Sequence, residues 1–129
     1  MANVSVLGGG SWGCALAMVL EHNGHQVTVW EISADVVKEV SETRELKRKL
    51  PGVKIPEDIF FTADLESCLT DRDLIVMAVP SVAARSTAAK IAGHIKEGQL
   101  IVTVAKGIEE ETLMIQSDIL ESEENILRN

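Results

Sequence analysis

The sequence predicts an α/β fold in which a doubly wound, mainly parallel sheet carries helices on both faces. Three observations predict it. Short apolar, β-branched segments alternate with helical patterns along the chain, an order that argues for parallel strands joined by crossover helices. The strands read as near-continuous apolar runs, as expected for strands covered on both faces. A glycine-rich turn, Gly8-Gly9-Gly10-Ser11-Trp12-Gly13, stands where a first strand meets a first helix. With 129 residues, 46% hydrophobic and 25% charged, the chain can build one domain with its own core.

Asn3 to Leu7 is the first strand, ended by Gly8 to Gly10. The Ala-, Leu- and Met-rich run from Trp12 to Leu20 is a helix, with Ser11 at its start and Asn23-Gly24 as its stop. Gln26 to Trp30 is the second strand. Ser33 then caps a helix whose apolar positions are Val36, Val37 and Val40. Pro51-Gly52 and Pro56 break the charged segment that follows. Ile59 to Thr62 is the third strand, and Asp64 is expected to cap a short helix carrying Leu65 and Leu69. Asp73 to Val79 is the fourth strand, stopped by Pro80. Ser81 opens a helix with Val82, Ala84, Ala88, Ile91 and Ile95 on or near one stripe. Gln99 to Ala105 is the fifth strand, and Thr112 to Leu120 a last helix. The expected domain is 1–120. Residues 121–129 are a polar tail, or the start of a connection to a C-terminal helical domain that lies beyond the sequence.

Charge and cysteine usage exclude several classes of function. Twenty acidic residues against twelve Lys or Arg give a net charge of −8, unlike a surface built to displace counterions from a phosphate backbone. The one basic cluster, Arg44, Lys47, Arg48, Lys49 and Lys54, reads as a solvated face or as the mouth of an anionic-ligand site. Cys14 and Cys68 form no CxxC pair and suggest no disulfide framework. The N-terminus lacks a signal-peptide pattern, and no apolar run is long enough to cross a bilayer. A cytoplasmic protein without membrane insertion is expected. His22, His25 and His94 make no metal-binding spacing with the cysteines, so no metal is expected. There is no ATP-binding GxxxxGK[ST] loop.

The chemistry concentrates on the glycine turn. In a G-x-G-x-x-G run between strand and helix, Gly8 permits the tight turn, Gly10 clears the approach of a pyrophosphate, and Gly13 lets helix and strand pack closely. The free amides of the first helical turn then favour the diphosphate. The second strand ends at Glu31, where a carboxylate accepts hydrogen bonds from an adenosine ribose 2′-hydroxyl and repels a 2′-phosphate. A Rossmann-type domain binding NAD, with NADP less favoured, follows. Trp12 has two readings, shielding the cofactor or packing against the base of the sheet. Buried in the first helical turn, Cys14 reads as a small hydrophobe. Ser81 is an N-cap that can also border the cofactor, and Lys106, at the end of the fifth strand, either meets a phosphate or carboxylate or is a solvated turn lysine.

The blocks Gly8 to Gly13 with Ala15-Leu16-Ala17, Val29-Trp30, Leu50-Pro51-Gly52-Val53-Lys54-Ile55-Pro56, Ala63-Asp64-Leu65, Ala78-Val79-Pro80-Ser81 and Lys106-Gly107-Ile108-Glu109, in this order, resemble the N-terminal domain of NAD(P)-dependent glycerol-3-phosphate dehydrogenases. The resemblance implies an oxidoreductase of glycerophospholipid metabolism that interconverts sn-glycerol 3-phosphate and dihydroxyacetone phosphate by hydride transfer. It implies that Gly8, Gly10, Ser11, Trp12 and Gly13 hold the pyrophosphate, that Glu31 lies by the adenosine ribose, and that Lys106 approaches cofactor and phosphorylated substrate. A C-terminal helical domain would supply the general base, so no catalytic residue is expected within these residues and the piece alone is expected to be inactive. A homodimer formed through that absent domain remains open. Two departures stand out: bacterial relatives often carry a basic or imidazole side chain around Glu31 and Ile32, and an aromatic residue where Lys49 precedes Leu50-Pro51-Gly52. Rival readings are a stand-alone NAD-sensing or regulatory module, which would not need Lys106, and a related dehydrogenase acting on another hydroxy substrate.

Overall fold

A computed structural model of the chain describes residues 2–47, 50–96 and 98–103. The expected helix at 112–120, Lys106, the tail, and the basic residues Arg48 and Lys49 lie outside them.

Five strands, β1 (Asn3–Leu7), β2 (Gln26–Trp30), β3 (Phe60–Thr62), β4 (Leu74–Met77) and β5 (Leu100–Thr103), form one parallel sheet in the order β3-β2-β1-β4-β5. The order reverses between β1 and β4, so their carboxyl ends part and leave a crevice there. Helix α1 (Ser11–His22) connects β1 to β2, α2 (Ala34–Thr43) follows β2, and α3 (Ala84–Ile91) lies between β4 and β5.

Period-two alternation along β1 sends Val4 and Val6 to one face and Ser5 and Leu7 to the other. The first pair joins a buried cluster with Cys14 and Ala17 of α1 and Val40 of α2. Leu7 joins a second cluster with Trp30, Ile75, Met77 and Ala84, Ala88 and Ile91 of α3. Helices therefore cover both faces, and the doubly wound α/β class is what the structure shows. Ser5, fully buried on the second face, donates its hydroxyl to the carbonyl of Cys68, which removes the cost of a polar group inside the sheet.

The expected start of α2 holds in detail. Ser33 caps α2, its hydroxyl accepting from the Val36 amide at 3.4 Å. Arg44 ends that helix with φ 55° and turns its guanidinium inward to the carbonyls of Ile55, Pro56 and Ile59. Arg44 is thus a clamp on the loop after α2 and not part of a free basic face.

Three expectations are corrected. Asp64 does not cap a helix: Leu65 holds the cap position of a 3₁₀ turn, Glu66–Cys68, without a side-chain bond, and the Asp64 carbonyl accepts from the Ser67 hydroxyl. Val82 is not on the buried stripe of α3 but is 87% exposed, because residues Ser81–Ala83 form a 3₁₀ turn that rotates them away from the α-helical register. For the same reason Ser81 is not the N-cap of α3, a position held by Ala83 with no side-chain bond.

Candidate functional site

A cleft of about 850 Å³ opens at the carboxyl ends of β1, β2 and β4. Its floor is the glycine turn. The Gly8 amide donates to the Trp30 carbonyl and the Ala78 amide to the Leu7 carbonyl, both at 2.9 Å, tying the turn to its two neighbouring strands. Gly8 has φ 126°, and a Cβ there would stand 2.7 Å from the Ala78 carbonyl oxygen; both conformation and space call for glycine. A Cβ on Gly13 would come within 2.0 Å of the Gly8 carbonyl oxygen, which is the close helix-on-strand packing expected of the last glycine in the motif.

Gly10 sits at the N-cap of α1 with φ −73°, a conformation open to any residue. No side chain caps α1, and its first intrahelical bond runs from the Cys14 amide to the Gly10 carbonyl. The amides of Ser11, Trp12 and Gly13 precede that bond and have no intrahelical acceptor. They line the cleft together with Gly8 and Gly10, as donors suited to an anion at the positive end of the helix dipole. Trp12 is 60% exposed at the cleft, which removes the reading in which it packs against the base of the sheet. Cys14, by contrast, is buried and its thiol points to the Gly9 carbonyl at 3.5 Å, a small apolar residue as expected.

Glu31 follows β2 directly and lines the same cleft. Its Oε1 accepts from the Ser33 amide at 3.1 Å, and a Cβ on Gly9 would meet its Oε2 at 2.3 Å. The middle glycine, to which the motif assigns no task, is thus the one that leaves room for the carboxylate. The cradle left by Gly8, Gly9 and Gly13, the uncapped amides and the adjoining carboxylate together fit the diphosphate and ribose of a dinucleotide.

The opposite wall was not legible in the sequence. Ala83, Ser86, Thr87 and Lys90 line the cleft, at the i, i+3, i+4 and i+7 positions that share one helix face. The sequence carried only a partial signal, Ser86, Thr87 and Lys90 at helical spacing after the fourth strand. Pro80, before Ser81, also lines the cleft. Among the described residues no cluster of His, Cys, Asp or Glu is arranged to hold a metal, and no helix is long and apolar enough to cross a membrane.

A doubly wound parallel sheet with a glycine turn at its switch point and a carboxylate closing the second strand defines the Rossmann-type dinucleotide-binding class. Residues 3–127 match the family described as NAD-dependent glycerol-3-phosphate dehydrogenase N-terminus. The chain is 53% identical over 123 residues to a glycerol-3-phosphate dehydrogenase [NAD(P)+] of Agathobacter rectalis, covering 95% of this chain and 37% of that protein. It is 44% identical to the enzyme of that name from Fusobacterium nucleatum, again over 95% of this chain and 37% of the relative. The crystal structure of a glycerol-3-phosphate dehydrogenase from Coxiella burnetii superposes with a TM-score of 0.89 at 28% identity, over 96% of this chain and 38% of that one. The chain belongs to the NAD-dependent glycerol-3-phosphate dehydrogenase N-terminal domain family. It spans 37% of the length of these two curated relatives, and the stand-alone sensing module is not the favoured reading.

Proposed function

We propose that the cleft binds NAD(H), with NADP(H) less favoured, as the cofactor half of a protein that interconverts sn-glycerol 3-phosphate and dihydroxyacetone phosphate. In this reading Gly8, Gly10, Ser11, Trp12 and Gly13 hold the pyrophosphate, Glu31 accepts from the adenosine ribose, and Ser81 borders the cofactor. Lys106 reaches toward the substrate phosphate. Residues 1–120 act as the dinucleotide domain and 121–129 lead toward the part of the protein that carries the general base. When bound, the nicotinamide supplies or accepts the hydride; the residues in hand bind and orient it. A cytoplasmic setting is part of the proposal, supported by two buried cysteines, Cys14 and Cys68, that form no disulfide.

The observation that carries the cofactor assignment is the position of Glu31 beside the glycine turn. Its carboxylate is held by the Ser33 amide, so a 2′-phosphate would meet a fixed like charge. NADH should bind more tightly than NADPH by about 1 to 3 kcal/mol, and Glu31→Gln should narrow that gap. Because Gly10 has an ordinary φ, Gly10→Ala should weaken both cofactors while leaving the melting temperature unchanged. Calorimetric titration of the three proteins with each cofactor is the check. Equal affinities in the unsubstituted chain would sink the preference, and undiminished binding by Gly10→Ala would remove the pyrophosphate from that glycine.

A further inference from the structure

Lys90 is exposed, and among the described residues it is the only Lys or Arg that lines the cleft. Its Nζ stands 5.8 Å from the centroid of the Trp30 ring. That ring is buried, and its indole N–H donates to the Ala63 carbonyl at 3.1 Å, so the surface on which the ammonium rests is fixed. Trp30 is the last residue of β2, which brings the cation of α3 to the strand end where Glu31 follows.

We propose that Lys90 is a specificity-determining residue that receives the 2′-phosphate of NADP(H), and so retains the phosphorylated cofactor as a second choice despite Glu31. The inference rests on the cleft being the dinucleotide site. Glu31 is not free to withdraw from a 2′-phosphate: Ser33 holds one carboxylate oxygen and the Gly9 backbone lies close behind the other. Ile32, 69% exposed beside it, brings no charge. Compensation therefore has to come from across the cleft. Ser86 directs its hydroxyl to the Ala83 carbonyl at 3.0 Å, and Thr87 is buried, which among the described residues lining the cleft leaves Lys90 as the group with the charge to do it. An ammonium on a flexible stem is a point-charge partner for phosphate, and an exposed cation–π contact is weak enough to be exchanged for one. A ribose with a free 2′-hydroxyl offers no such anion, so NAD(H) gains little from the same lysine.

The test is calorimetry on the 129-residue chain and its Lys90→Gln and Lys90→Arg variants, titrated with NADH, NADPH, adenosine 5′-monophosphate and adenosine 2′,5′-bisphosphate. Lys90→Gln should weaken NADPH and the bisphosphate about five- to tenfold and change NADH and the monophosphate less than about twofold. Lys90→Arg should restore most of the loss, and the salt dependence of NADPH binding should be shallower in Lys90→Gln than in the unsubstituted chain. Equal losses for both members of each pair, or no loss for either, would overturn the assignment to the 2′-phosphate while leaving the cofactor site standing. Failure of the unsubstituted chain to bind NADH would bring down the reading of the cleft, and this inference with it.

Discussion

Cys68 shows how a single buried group sets a pH limit on this fold. Its side chain is fully buried beneath the sheet, and its carbonyl accepts from Ser5 at the centre of β1. Burial pushes the thiol up from 9.0 to about 11, with the nearby Arg72 opposing the shift in part. The folded state holds this proton more tightly than the unfolded chain does. The resulting stabilisation is complete below about pH 9 and is lost as the pH rises toward 11, amounting to about 2 to 3 kcal/mol. Urea unfolding midpoints of the chain and of Cys68→Ala, followed from about pH 8 upward, should therefore converge, with the unsubstituted chain falling more steeply. Parallel curves would show that the thiol stays neutral in both states over that range. At neutral pH the same burial leaves the thiol an inert part of the core, unlike an activated nucleophile.

The contact of α1 with β1 decides whether the cleft exists at all. The helix begins at Ser11 with no side-chain cap, and its first turn is held against the Gly8 turn through Gly13. A methyl at position 13 would have to occupy the Gly8 carbonyl, 2.0 Å away, and backbone yields far less readily than a side chain. Gly13→Ala should cost about 3 kcal/mol, as a severe case of overpacking, and should abolish NADH binding by lifting the amides of Ser11 and Trp12 from the floor. Gly93→Ala is the matching control, since a Cβ there meets nothing within 4 Å. Thermal unfolding should place Gly13→Ala well below the unsubstituted chain and Gly93→Ala beside it. Comparable melting temperatures for all three would mean that α1 can shift without loss, and that the tight packing is incidental. Arg44 works at the same scale, its three carbonyl partners fastening residues 55–59 to the end of α2.

For the molecule as a whole, we propose that labour is divided between the cleft and the portion by which the curated relatives exceed this chain. Hydride transfer needs the substrate carbon within roughly 3 to 3.5 Å of the nicotinamide and a group to take the hydroxyl proton. The walls of the cleft as described serve the cofactor, and a single exposed ion pair to a substrate phosphate would contribute about 0 to 1 kcal/mol. The 129-residue chain should thus bind NADH yet reduce dihydroxyacetone phosphate negligibly. A chimera joining it to the remaining C-terminal portion of the Agathobacter rectalis relative should turn over. In that chimera Lys106→Ala should lower kcat/KM about a hundredfold with NADH affinity largely kept. Absorbance of NADH at equal protein concentration reads all three, and comparable turnover by the 129-residue chain would place the catalytic groups within it.

Much of this was legible in the residues themselves. The strands at Asn3–Leu7 and Gln26–Trp30, the helix opening at Ser11, the Ser33 cap and the tasks of Gly8 and Gly13 depend on local propensity, period and turn chemistry, which neighbouring residues carry. The reading of Asp64 and Ser81 as caps failed because 3₁₀ turns at Glu66–Cys68 and Ser81–Ala83 stand where first α-helical turns were expected, and the choice between α and 3₁₀ geometry over three residues turns on packing that no short pattern encodes. Trp12 had two readings until its exposure at the cleft selected one. Gly9 acquired a reason only when Glu31, distant in sequence, was seen to lie against it. Lys90 entered the site because its ammonium reaches the Trp30 ring at the end of β2. The sequence by itself determined the order and kind of the elements and the glycine turn. Tertiary structure alone decided which side chains from different elements share the cleft, because that depends on strand order and helix rotation, quantities set by the packing of the whole sheet.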